Sequence, residues 1–297
     1  MHFSISGGGA RGILFAAFFD ELDRQDKALR RSIRSMSGSS AGALVAVPIA
    51  MGVDSSKVLK ATAKAGRSTF MRFPRALAVY MKWWDAMYSG DQIESNLMTV
   101  CRGKRLLLPV TLSVTDAITL RQENLTWNDK SATSAVVNCA VASAAVPGLF
   151  EERNVDGRMY YDGGAVVCTF PKHILVKKIR SGEEVVMLNS APWPGYRISQ
   201  GGPKQRILTA ALDTFNTHGL EWIGQVLGDQ FRYKDGCFRY KNVTFLAPTG
   251  EQYLASGGTA SAGNIYYSEN SDFVRKLVEE GRAIANSFIR LHCNKNG

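Results

Sequence analysis

Histidine is scarce in this 297-residue chain, which has four, at positions 2, 173, 218 and 292. A serine nucleophile of the triad type needs an imidazole base, so the shortage narrows the chemistry. His2 opens the first expected strand, at the wrong end for catalytic loops gathered at strand C-termini. His292 falls in a Lys/Asn-rich tail and is expected to be solvated, and His218 lies in or at the end of a helical stretch. His173, shortly after Pro171, stays open as a triad base. Cysteine is also sparse: five, at 101, 139, 168, 237 and 293. Their odd number and scatter argue against a disulfide framework or a metal site and for reduced thiols, with Cys139 and Cys168 in apolar packing runs. No apolar run approaches the roughly 20 residues needed to cross a bilayer. The first expected strand begins at once, leaving no room for a secretory leader. Internal repeats and long linkers are lacking too, so 1–297 is expected to be one domain.

Two further classes are disfavoured by what is missing. With 45% hydrophobic and 21% charged residues the chain is not of disordered composition. Its net charge of +10 implies attraction to anionic surfaces. The basic residues are nevertheless dispersed, and no nucleic-acid-binding module is recognisable. Lys177, Lys178 and Arg180 make only a short run, read as a solvated loop.

What is present is a set of short, ordered motifs. Met1 to Ser6 reads as a strand, stopped by Gly7-Gly8-Gly9-Ala10-Arg11-Gly12, and Ile13 to Phe19 leads into a buried helix. Strand, glycine turn and helix N-terminus together collect free N–H groups suited to an anion. Taken alone, such a turn is equally a phosphate loop or a tight bend, though no Lys-Ser/Thr follows it as in a P-loop. Gly38-Ser39-Ser40-Ala41-Gly42 then follows an apolar strand end and precedes a helix of small residues at Ala41 to Ile49. Gly-x-Ser-x-Gly at a strand-to-helix turn is the nucleophile-elbow pattern, with Ser40 at its centre. Asp162 ends a short strand at Arg158 to Tyr161 and is followed by Gly163 and Gly164. A partly buried carboxylate within reach of a serine hydroxyl serves directly as a base. The plain alternative is an Asp-Gly turn.

These motifs, with Ala142-Ser143-Ala144-Ala145-Val146-Pro147-Gly148-Leu149-Phe150 between them, resemble the patatin-like phospholipase family in type and order. The resemblance spans residues 4–189; residues 190–297 are less typical. It implies an α/β fold, three-layer α/β/α with a mainly parallel central sheet. It implies Ser40 as nucleophile and Asp162 as base, in a Ser-Asp dyad without histidine, metal or cofactor. Gly8, Gly9, Ala10 and Arg11 would line the oxyanion hole. The implied reaction is hydrolysis of acyl esters of phospholipids or related lipids. An esterase or acyltransferase on soluble esters, and a catalytically idle lipid-binding protein, are the alternatives.

Further expected elements are helices at Asp54–Gly66, Asp91–Val100, Ser131–Ala145, Thr209–Phe231 and Asp272–Leu291. Strands are expected at Leu106–Val114, Glu184–Leu188 and Phe238–Leu246. The stretch Arg67 to Tyr88 interleaves Phe70, Phe73, Trp83 and Trp84 with arginine and lysine. Rings and cations so mixed suit either a membrane-contacting surface or a helical lid. Cytoplasmic, peripherally membrane-associated protein acting on membrane lipids, with no nucleic-acid partner, is therefore the expectation.

Overall fold

The computed structural model describes residues 1–66, 86, 88–165, 170–195, 219–258 and 267–293. The expected lid residues Phe70, Phe73, Trp83 and Trp84, together with His218, Cys168 and the first half of the expected Thr209–Phe231 helix, lie outside them.

Apolar runs dictate the first layer. β1 (His2–Ile5) leads through a 3₁₀ turn at Gly9–Arg11 into α1 (Gly12–Gln25), in which every residue from Gly12 to Leu22 is buried. A helix apolar all round has to sit inside the molecule. α2 (Lys27–Arg31) is capped by the Asp26 side chain accepting from Leu29 N–H. β2 (Ser35–Ser39) and α3 (Ala41–Ala50) follow, then α4 (Ser55–Lys64), capped by Asp54, and α5 (Asp91–Val100). β3 (Val110–Asp116) and β4 (Gln122–Trp127) form a hairpin. After α6 (Thr133–Ala142) come β5 (Arg153–Val155), β6 (Arg158–Asp162), α7 (Lys172–Arg180) and β7 (Val185–Leu188). The chain closes with α8 (219–227), β8 (Phe238–Tyr240), β9 (Val243–Leu246), α9 (Gly250–Ala255) and α10 (Asp272–Cys293).

Among the described residues, one nine-stranded sheet has a parallel centre, β3-β2-β1-β7-β9, with antiparallel β4, β5, β6 and β8 at its margins. Alternation along the strands splits its faces. Phe3, Met36, Val186 and Leu246 belong to one core with α1, α3, α6 and α10. Val185, Met187, Val243 and Phe245 belong to a second with α7, 219–227 and Trp193. Helices thus cover both faces in the three-layer α/β/α arrangement. On β1 and β2 the second face is polar. His2 bonds Ser35 Oγ at 2.8 Å and Ser37 Oγ at 2.9 Å, and Ser37 donates to Ser4 Oγ at 2.9 Å. Burial pushes the His2 imidazole down to about 3, so it is neutral there.

Four expectations change. Leu106–Pro109 is not strand: β3 starts at Val110, and the Pro109 carbonyl only accepts from Met36 N–H. Phe238–Leu246 is a hairpin, broken where Lys241 takes φ 53°. Lys177, Lys178 and Arg180 occupy the last turn of α7, and Lys178 pairs with Glu183 at 2.8 Å. His292 is half-buried on α10, its ring against Phe288 and its Nε2 3.3 Å from Glu184.

Candidate active site

Ser40 leaves β2 and opens α3 with φ 53° and ψ −128°, a left-handed conformation rare for a residue with a side chain. Such a turn folds strand back on helix at backbone contact. A Cβ at Gly42 would lie 2.4 Å from the Ser6 carbonyl oxygen and 2.6 Å from that of Ile5. Only glycine fits there. The result aims the N-terminus of α3, with its partial positive charge, at the Ser40 side chain.

The glycine turn lies beside it. A side chain on Gly7 would begin 3.2 Å from Ser40 Cβ and 3.9 Å from Ser40 Oγ. The Gly7 carbonyl accepts from Ser190 Oγ and from Ser6 Oγ, each at 2.8 Å. In a trans peptide the following Gly8 N–H points the opposite way. Among the described residues, the N–H groups of Gly8, Gly9 and Ala10 meet no main-chain acceptor. The Arg11 N–H is engaged inside the turn, donating to the Gly8 carbonyl at 3.1 Å. Its guanidinium is buried and turned away from Ser40: Nε donates to the Ser190 carbonyl at 2.6 Å, Nη1 to Ser256 Oγ at 2.9 Å, and Nη2 to Glu280. Its Cζ stands 4.6 Å from the centre of the Tyr253 ring. Arg11 braces the turn to α9 and α10.

Asp162 reaches Ser40 through the pairing on β3. β4 occupies one edge of β3 along its length, so β2 and β6 share the other. β2 runs out at Ser39, opposite Ser113, and β6 arrives at Asp162, opposite Val114. The residue after Ser39 and the residue ending β6 therefore meet at one break in the ladder. Ser143 closes that break: Ser40 N–H donates to its Oγ at 3.0 Å, and its Oγ donates to the Ser113 carbonyl at 2.5 Å. Asp162 N–H donates to the Ala145 carbonyl at 2.9 Å, and Thr115 Oγ1 donates to the Asp162 carbonyl at 2.8 Å. A Cβ at Gly163 would lie 2.1 Å from the Ser113 oxygen, which explains the glycine after the carboxylate.

The Asp162 carboxyl is fully buried. Oδ1 accepts from Gly164 N–H at 2.7 Å, while Oδ2 has no partner of good hydrogen-bond geometry. Burial pushes its pKa up to about 6, against the opposing pull of the nearby Ser40 hydroxyl and the Gly164 amide. The group is ionised at neutral pH yet poised to take a proton. His173, the triad alternative, is exposed on α7.

A cavity of about 420 Å³ opens onto Ser40, and Gly9 and Ala10 are among the residues that line it. Its walls are mostly hydrocarbon from α3 (Leu44, Val45, Pro48), α4 (Val58, Ala61), α5 (Ile93, Leu97, Val100) and the segment Val146 to Phe150, with Thr62 and Asn96 among the few polar side chains.

Sequence reasoning assigned no role to Ser143, Ser190 or Glu280. Each left a trace. Ser143 is the polar residue ending an apolar helix, and Ser190 follows an apolar strand. Glu280 sits among Leu277, Gly281 and Ile284 on the buried face of α10.

A family model described as patatin-like phospholipase matches residues 3–174, more than half the chain and both halves of this site. The chain belongs to the patatin-like phospholipase family. Comparison with curated proteins gives no match. Among solved structures, VipD from Legionella pneumophila is 15% identical with a TM-score of 0.50, covering 98% of this chain and 67% of that one. Human GIVD cytosolic phospholipase A2, in complex with methyl gamma-linolenyl fluorophosphonate, is 11% identical with a TM-score of 0.47, covering 99% of this chain and 58% of that one. The likeness to VipD is one of fold. The residues that brace the patatin glycine turn here, Ser190, Tyr253, Ser256 and Glu280, all lie beyond the stretch that the family model matches.

Proposed function

We propose that the chain is a lipid acyl hydrolase that cleaves carboxylic esters of membrane phospholipids or related acyl lipids through an acyl-enzyme. Ser40 is the nucleophile and Asp162 the general base. As Ser40 Oγ attacks the ester carbonyl carbon, its proton passes to the Asp162 carboxylate, and the carbonyl oxygen becomes an oxyanion. The N–H groups of Gly8, Gly9 and Ala10, with the N-terminus of α3, stabilise that charge, and Arg11 holds the turn in place from behind. Collapse of the tetrahedral intermediate expels the lipid alcohol, which takes the proton back from Asp162. Water, deprotonated by Asp162, then attacks the Ser40 acyl ester, and the fatty acid leaves as Ser40 regains its proton.

The observation that carries this reading is the opening of a hydrocarbon-walled cavity directly onto a strained serine that has a buried, half-satisfied carboxylate as neighbour. Such a cavity suits an acyl chain, since few polar groups line it. The enzyme would work from the aqueous side of a bilayer; no described helix is long and apolar enough to cross one. The test is fatty-acid release from phospholipid vesicles by the purified protein. Release that disappears in Ser40→Ala supports the reading. Release from soluble esters alone would move the substrate class to those esters, and release undiminished in Ser40→Ala would end the assignment.

A further inference from the structure

Four large apolar side chains among the described residues stand well out in solvent: Leu107, Ile118, Leu120 and Val146. Leu107 precedes β3, at the opposite end of the sheet, but the other three gather at the end where Ser40 emerges. β3 runs parallel to β2 and continues past Ser113 to Asp116, about 10 Å further at the usual strand rise. The turn to β4 thus projects beyond the level of Ser40. Ile118, at its tip, is 90% exposed, and Leu120 is 56% exposed. Val146 follows Ala145, whose carbonyl takes the Asp162 N–H, and it also lines the cavity.

The turn is built, not loose. Asp116 Oδ1 accepts from Ile118 N–H at 3.1 Å and Thr119 N–H at 2.6 Å, and its Oδ2 accepts from Arg158 at 2.6 Å. Asp116 N–H donates to the Arg121 carbonyl at 3.0 Å, and its carbonyl accepts from Leu120 N–H at 2.9 Å. Leu120 is held at φ 54°, a strained conformation for leucine. Fixed carboxylate anchoring and backbone strain together keep two aliphatic side chains in water, where the hydrophobic effect opposes them. Charge on the tip is of one sign. Arg121 is exposed and carries no ion pair among the described residues, whereas Arg158 is paired with Asp116 and Glu123 and Arg153 with Asp91 and Glu94.

We propose that the β3–β4 turn is a membrane-docking wedge: Ile118 and Leu120 enter the acyl boundary of an anionic phospholipid bilayer, Arg121 meets its headgroups, and Val146 continues the contact to the cavity mouth. The wedge sets the cavity rim against the bilayer, so that a lipid chain passes from membrane to Ser40 without crossing water. Two aliphatic anchors and an exposed cation, on a chain of net charge +10, match an anionic lipid surface. This inference rests on the lipid-hydrolase reading above.

Sedimentation of the full chain with phosphatidylglycerol or phosphatidylcholine vesicles tests it. The wild type is expected to partition onto phosphatidylglycerol in preference to phosphatidylcholine. Ile118→Ser with Leu120→Asn, asparagine being at ease at positive φ, should lower that partition by roughly tenfold or more, and Arg121→Glu should lower it on phosphatidylglycerol alone. Neither variant should lower Tm or change the hydrolysis of a monomeric short-chain ester, and relief of the strain at Leu120 should if anything raise the Tm of the double variant. A tryptophan introduced as Ile118→Trp should shift its emission to the blue on vesicles. Unchanged partition of the double variant, or an unshifted Ile118→Trp emission, overturns the wedge. Equal wild-type partition onto both vesicles overturns the anionic assignment. Failure of the wild type to bind either vesicle also overturns the proposal, while Ser40-dependent hydrolysis of the monomeric ester keeps the catalytic assignment standing.

Discussion

At the scale of single residues, burying a carboxyl group beside a serine hydroxyl has two consequences of opposite value. For catalysis it is useful: a base with a pKa of about 6 is ionised at neutral pH and still accepts a proton. Because the deprotonated form is the active one, kcat/KM is expected to rise with pH through about 6 and level off above, which a pH–rate profile reads directly. For stability it is a cost. The folded state holds this proton more tightly than the unfolded chain, so the group weakens the fold as pH rises from about 4 to about 6 and remains unfavourable above. Asp162→Asn should therefore lose about 10²–10⁴-fold in kcat while gaining on the order of 1–3 kcal/mol in stability at pH 7. In urea melts, that gain should shrink below pH about 5. As candidates, Ser40 and Asp162 stood out in the sequence because Ser40 lies between Gly38 and Gly42 and Asp162 stands directly ahead of Gly163, glycines that close backbone contact requires. Their meeting was expected from the ordered motifs and the family resemblance, but spacing alone does not reveal its cause, that β2 and β6 share one edge of β3.

At the scale of elements, the helices of the first core announced themselves. α1 and α3 are continuous apolar runs, and α10 repeats Val274, Leu277, Ile284 and Phe288 on one face. Strands were harder to read. β4 carries Gln122, Glu123 and Asn124 on a half-buried sheet margin, and β5 is three residues long, so neither shows a strand pattern. The β8–β9 turn has no glycine to mark it, Lys241 and Asn242 standing there instead. Ser143, at the end of α6, joins elements by donating to β3 and accepting from Ser40. Ser143→Ala leaves a buried carbonyl and a buried amide without partners. It should cost roughly 1–3 kcal/mol in unfolding free energy, measured by urea titration. A drop in kcat of about tenfold or more should accompany it, with KM little changed, because the peptide that aims Ser40 loses its tether.

At the scale of the whole molecule, the site is assembled from both ends of the chain. Arg11 near the N-terminus is buried against Glu280 of α10, with Ser256 and Tyr253 around it. The composition of residues 190–297 hinted at none of this, because one glutamate on a long amphipathic helix reads as a surface charge until its face is known. Removing one partner of a buried ion pair leaves the other uncompensated, so Glu280→Ala should lower stability by roughly 3–5 kcal/mol. Glu280→Gln, which keeps an acceptor for the guanidinium, should retain more of both stability and kcat, and urea melts with steady-state kinetics on the pair would check this. The central claim, that Ser40 is a nucleophile activated by Asp162, is tested most directly by covalent labelling with a long-chain fluorophosphonate followed by peptide mass spectrometry. The prediction is one adduct per chain, on Ser40, formed about 10² or more times slower in Asp162→Asn. An adduct on any other residue, or labelling of Asp162→Asn at the wild-type rate, would contradict it.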